Sequence, residues 1–196
     1  MSDELNLAHK SALELLKIVD DYCVAQKILY TLSGDTLITY NKLDFGKCYP
    51  SITISAEYEG YMKIISYLER FCDKYSNYSI HNCHNTPHFY TCATWFVKAS
   101  RVKLNLDRKN EEFYYGTHLI ILPLYYAGNS KKEWKKVNQF YKDNILPISF
   151  RKMLNKKPII TYLKLTPRRI RTNIYLKKRN FDEFENNVIY LENTLK

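Results

Sequence analysis

The sequence predicts a mixed α+β domain: a central, mostly antiparallel sheet flanked by helices, followed by a basic helical C-terminal part. Three observations predict it. Segments of helical and of strand periodicity interleave as far as residue 130. The chain has 196 residues, 45% hydrophobic and 15% aromatic, which suits one domain with a real core and excludes a disordered chain. The charge then changes abruptly: residues 1–130 carry 13 Lys+Arg against 14 Asp+Glu, and residues 131–196 carry 17 against 6. The expected division is a core over 1–130 and a basic extension over 131–196, packed on the core or following it.

Each element has its own pattern. Leu5, Ala8, Ala12, Leu15, Leu16, Val19 and Cys23 recur at helical spacing and predict a helix over 4–27. Residues 28–32 read as a short buried strand. The small residues Ser33-Gly34-Asp35-Thr36 then break the pattern and feed a second helix from about Leu37. Residues 51–56 alternate polar and apolar, as in a strand with one face in the core. Tyr61, Ile64, Ile65, Leu68, Phe71 and Cys72 give residues 58–75 an apolar helical face. Short strands follow near 77–81 and 89–97, with Val102–Leu106 as an extension of the sheet. The apolar run His118–Tyr126 suits a buried strand. Lys131–Tyr141 reads as a basic helix, and 181–195 as a final helix opened by Asp182 and Glu183.

No apolar stretch approaches the ~18–20 residues of a membrane-spanning helix. The acidic start Met1-Ser2-Asp3-Glu4 is unlike a secretory signal. Cys23, Cys48, Cys72, Cys83 and Cys92 are odd in number and irregular in spacing, so reduced thiols are expected. The expected location is the cytoplasm, or the periphery of the membrane at its inner face.

The succession Ile28-Leu29-Tyr30-Thr31-Leu32, Ser33-Gly34-Asp35-Thr36-Leu37, Asn41-Lys42, Asp44-Phe45 and Ser51-Ile52-Thr53-Ile54 carries the most specific signal. Glu57-Tyr58-Glu59-Gly60-Tyr61 follows it, and Ile120-Ile121-Leu122-Pro123-Leu124-Tyr125 comes later. In this order and spacing, over roughly residues 10–130, the chain resembles the LicD family of the nucleotidyltransferase fold, which includes phosphocholine and fukutin-type transferases. Those enzymes move a phosphorylated alcohol from a CDP donor to a cell-surface glycan. The resemblance implies a nucleotidyltransferase-like sheet. It also implies a pocket for a nucleotide-type ligand near Ser33, Gly34, Asp35, Thr36 and Lys42. In the family two aspartates two residues apart, and a third on a later strand, hold Mg²⁺ against the phosphates.

Counted from Phe45, the paired aspartates fall on Ser51 and Thr53, and the later one on Ile120. Neutral hydroxyls and an alkyl group are poor replacements, because Mg²⁺ takes carboxylates and water. No catalytic residue, metal ligand or cofactor is therefore assigned, and Mg²⁺ is expected only if its ligands have moved. Asp35 and Asp44 are the nearby carboxylates. Their ordinary readings are a helix N-cap for Asp35 and a turn residue for Asp44.

Other features have plain and specific readings. His81, Cys83, His84, His88 and Cys92 are of zinc-ligating type, but their spacing matches no established ligand pattern, so loop histidines beside buried thiols are expected. The basic third offers Lys135, Lys136, Arg168, Arg169, Arg171, Lys177, Lys178 and Arg179 to a polyanion, with aromatic residues interleaved. An anionic membrane surface or an envelope polymer fits the resemblance. Nucleic acid is the rival partner, and a solvated basic face binding nothing is the plain reading.

The expected function is thus a LicD-like domain that has lost its metal site and serves as a binding, regulatory or scaffold partner of another protein. One alternative is an active phosphotransferase with relocated ligands drawn from Asp35, Asp44, Asp107, Glu111 or Glu112. The other is a nucleic-acid-binding protein using the basic third.

Overall fold

In the computed structural model, which describes residues 3–42, 51–86, 89, 91–99, 117–126, 129–142 and 181–194, the first element is helix α1 (Asp3–Gln26). Ala8, Ala12, Leu15, Val19 and Cys23 form its buried stripe, as their spacing requires. Its end is a Schellman turn. Ile28 N–H donates to the Cys23 carbonyl at 2.9 Å and Lys27 N–H to the Val24 carbonyl at 3.3 Å. Lys27 takes the left-handed position, φ 55°, where glycine is usual.

Strand β1 (Tyr30–Leu32), helix α2 (Gly34–Lys42), strand β2 (Ile52–Glu57) and helix α3 (Tyr58–Lys74) follow. Strands β3 (Tyr78–His81), β4 (Thr94–Lys98) and β5 (Thr117–Leu124) complete the sheet, and helices α4 (Lys131–Phe140) and α5 (Phe181–Thr194) come last. The strand order is β1-β2-β5-β4-β3. Among the described residues only β2 and β5 pair in parallel; the other three pairings are antiparallel.

Alternation divides the sheet into two unlike faces. On one face Ile54, Ala56, Phe96, Leu119 and Ile121 meet Leu15, Val19 and Cys23 of α1 and Tyr61, Ile64, Ile65 and Leu68 of α3. Phe71 extends this core by edge contacts to Tyr78, at 5.2 Å, and to Phe96, at 6.0 Å. Polar ties fix the helices over it. The Tyr61 and Thr94 hydroxyls share a buried hydrogen bond of 2.6 Å. Lys98 Nζ lies 2.6 Å from Glu14 Oε2, Tyr78 Oη donates to Glu14 Oε1 at 3.0 Å, and Tyr30 Oη donates to Asp20 at 2.8 Å.

Three expectations need correction. Strand β1 is half-buried, with Thr31 exposed, because among the described residues it is the sheet's edge and has a neighbour on one side only. Helix α2 begins at Gly34 instead of near Leu37, because Gly34 adopts φ +54° and turns the chain from strand to helix in one residue. Strand β4 begins at Thr94, five residues later than the apolar pattern suggests. Val102–Leu106 lie outside the described residues.

The chain divides into two compact units, one of residues 1–85 and 92–124, the other of residues 86–91 and 125–196. In the second unit Ser130 and Glu133 form a reciprocal capping box that starts α4. The Phe140 ring lies 4.9 Å from that of Tyr190 on α5, where Val188 is buried. Among the described residues no helix is long and apolar enough to cross a membrane.

Candidate functional site

The second face of the sheet carries hydroxyls, histidines and a tryptophan. Residues 53 and 55 of β2 and 118 and 120 of β5 belong to it by alternation, as do 95 and 97 of β4 and 79 and 81 of β3. Register lines up one row across the strands: His81 opposite Trp95, Trp95 opposite Ile120, Ile120 opposite Thr53. Ser33, just past the end of β1, continues that row, since its N–H donates to the Thr53 carbonyl at 2.9 Å.

The turn into α2 is laced to β2 by hydroxyls. Ser33 Oγ lies 2.5 Å from Ser55 Oγ, and Thr36 Oγ1 accepts from Thr53 N–H at 2.9 Å. The two side chains are thus spent on positioning the turn. Nothing crowds Gly34: a Cβ there would meet no atom within 4 Å. Leu37 N–H reaches the Ser33 carbonyl at 3.4 Å, so Ser33 holds the N-cap place expected of Asp35. Asp35 instead sits inside the first turn, where its charge complements the helix dipole. That charge also opposes a phosphate at the same helix end.

Ser51, Thr53 and Ile120 take the places that the resemblance implies for metal ligands, and all three are half-buried. Thr53 and Ile120 are direct register partners on parallel strands. The row from Ser33 to His81 therefore contains hydroxyls, an alkyl group, an indole and an imidazole, and no carboxylate. Burial pulls the His81 pKa below the ordinary histidine value, so its ring is neutral near pH 7. Its Nε2 shares a 3.0 Å hydrogen bond with Ser79 Oγ. The Trp95 ring stacks on His118, centroids 4.8 Å apart and 8° from parallel. His118 and Ser55 are buried on this face while His81, Trp95, Ile120 and Thr53 are half-buried, and the row supplies no charge to a phosphate or a cation.

Sequence patterns alone did not find Trp95 and His118. The period-two alternation in Thr94–Lys98 and Thr117–Leu124 puts each on this face, but only the register joins them. Among the described residues no three His, Cys, Asp or Glu side chains come together as a metal site. Near His81, the Asn82 side-chain oxygen accepts from the backbone N–H groups of His84 and Asn85, at 2.9 and 3.0 Å, which makes the segment a turn. Burial pushes the Cys23 and Cys72 thiols up to about 11, so neither is a nucleophile at neutral pH.

Lys42 closes α2, but its side chain lies outside the described residues, as do Asp44, His88, Asp107, Glu111 and Glu112. The same holds for Arg168, Arg169, Arg171, Lys177, Lys178 and Arg179. Lys135 and Lys136 stand exposed on α4, and with Lys131, Lys132, Gln139 and Phe140 they line a shallow groove. No family model matches the chain, and neither a curated protein nor a solved structure does.

Proposed function

We propose that the chain is a nucleotidyltransferase-like domain of LicD type that has given up metal-dependent transfer and acts as a binding or regulatory partner. The order α1-β1-α2-β2-α3, with a later strand parallel to β2, supports this reading. The register of Thr53 against Ile120 beside the Ser33-Gly34 turn carries it. Those are the positions where a transferase of this kind concentrates its negative charge, and here they are neutral. Phosphoryl chemistry without a cation has nothing to offset the charge that develops on the transferring group. The reading leaves a surface of hydroxyls and rings that can hold a nucleotide-type ligand through its sugar and base. Cys23, Cys72 and Cys83 are free thiols, which suits the cytoplasm.

Titration calorimetry of the purified protein with CDP and CDP-choline, with and without Mg²⁺, tests this reading. Binding that is indifferent to Mg²⁺, with no turnover of CDP-choline, is the expected result. Binding that requires Mg²⁺, or turnover abolished by Asp35→Ala, would replace it with the reading of an active enzyme whose ligands have moved. No binding in either condition would leave a scaffold.

A further inference from the structure

Helix α4 is built against its own electrostatics. Lys131, Lys132, Lys135 and Lys136 fall in its first two turns, where the helix dipole is positive and cations are disfavoured. Their spacing makes two like-charge pairs four residues apart, Lys131 with Lys135 and Lys132 with Lys136, each of which opposes the helix. On a helical projection the four lysines fill one arc of about 140°. All four are exposed, and none has an ion-pair partner among the described residues. The helix's one acid, Glu133, is turned back into the capping box with Ser130, at 3.1 and 3.2 Å, and does not neutralise them.

The opposite side of the helix is already engaged. Val137, opposite the centre of the lysine arc, is half-buried, and Phe140, just beyond Lys136, packs on Tyr190. A helix that lies in a membrane interface needs that side free to enter the acyl boundary. Trp134, about 60° beyond Lys131 around the helix, is 51% exposed, and Tyr141, two turns later on that side, is 38% exposed. Cations on one arc with flat rings along its border are the two parts of a surface that tracks a phosphate backbone while bases stack.

From this juxtaposition we infer that α4 is a binding surface for single-stranded nucleic acid: Lys131, Lys132, Lys135 and Lys136 contact phosphates, and Trp134 stacks a base. The inference is independent of what the sheet binds. Recognition is by backbone charge and stacking, so it tolerates sequence and depends on salt. Neutralising four phosphates gives a log–log salt slope of about −3 on a single strand, a loss of roughly 50-fold between about 50 and about 200 mM salt.

The test is fluorescence anisotropy of the full chain with a labelled oligouridylate of about 16 nucleotides, a length that fills such a site. Binding at low salt with that slope is expected. Lys135→Gln/Lys136→Gln should flatten the slope by about 1.4. Trp134→Ala should weaken binding about fivefold or more at every salt concentration, with Trp134→Tyr restoring most of it. These side chains are exposed, and circular dichroism of each variant checks that the fold is kept. Absence of binding at low salt would overturn the inference. So would binding that ignores Trp134, or adsorption to phosphatidylserine vesicles that the oligonucleotide does not compete away.

Discussion

Ser33 Oγ and Ser55 Oγ lie 2.5 Å apart, and this contact pins the turn that opens α2 to the middle of β2. Ser55 is buried, so losing Ser33 leaves a hydroxyl without water or partner. Ser33→Ala should cost about 1–2 kcal/mol, and Ser55→Ala a similar amount. The double variant should cost less than the sum, with a coupling of about 1 kcal/mol in urea unfolding. Strict additivity would mean that the two hydroxyls do not interact.

Restoring charge beside that turn tests the reading of the sheet surface. Ser51→Asp/Thr53→Asp puts two carboxylates two residues apart, one just before β2 and one within it, as a Mg²⁺ site requires. Without metal the variant should be less stable than the parent, because like charges face each other on a half-buried surface. Mg²⁺ at about 100 times its Kd should return about 2.7 kcal/mol, read as a rise in Tm that the parent does not show. A variant whose Tm ignores Mg²⁺ would count against the proposed ancestry of the site.

Gly60, in the first turn of α3, is held to glycine by a neighbour. A Cβ at position 60 would lie 2.8 Å from Ile28 Cγ2, a methyl carried directly on Cβ and so tied closely to the backbone. Alanine is the better helix former by about 1 kcal/mol, but the overlap should cost about 1–3 kcal/mol. Gly60→Ala is therefore expected to lower stability, and to raise it when introduced into Ile28→Ala. Equal effects in both backgrounds would discount the contact.

Lys27 is the complementary case. It holds a left-handed conformation with no side-chain reason to do so, at a cost of about 1–2 kcal/mol for a residue with a Cβ. Lys27→Gly should stabilise the protein by about 1 kcal/mol in chemical denaturation. Lys27→Val should destabilise it, since a β-branched residue tolerates this region least.

The clamp from α1 to β3 and β4 has a pH signature. The Lys98 hydrogen bond, opposed by desolvation and aided by the bond from Tyr78, holds the Glu14 carboxyl below its ordinary pKa. A depressed folded-state pKa stabilises above the unfolded value of about 4.3 and loses that contribution as the pH falls through the folded value. Glu14 is about half exposed, so the contribution is under about 1 kcal/mol. Thermal melts of the parent and of Glu14→Gln should differ slightly at pH 6 and converge as the pH falls through the depressed folded-state value. A gap that persists under acid would assign the effect to packing.

How much of this was legible in the sequence depends on range. Helices α1 and α3 follow from the spacing of Leu15, Val19, Ile64 and Leu68, since helical periodicity is a local property. The half-burial of β1 was not legible, because apolar residues of an edge strand look the same as those of an inner one. Asp35 has the composition of an N-cap, yet the left-handed Gly34 moved that role two residues back to Ser33. The row of His81, Trp95, Ile120 and Thr53 depends on pairings between distant segments. His118, set in an apolar run, reads as core until the register places it beside Trp95.

The parallel pairing of β2 with β5 has a consequence for the order of assembly. Ile52 meets Leu119, and β5 occupies the middle of the sheet with β4 and β3 beyond it. As the chain leaves the ribosome, β1–β2 and β3–β4 can each zip locally, but they remain separate ribbons with open edges. The last-made strand is the keystone that joins them. Closing so long a loop is slow, and until it closes the hydrophobic sides of α1 and α3 have no complete sheet to cover. The nascent chain is therefore most exposed to aggregation, and most dependent on chaperones, in the interval before residue 124 emerges.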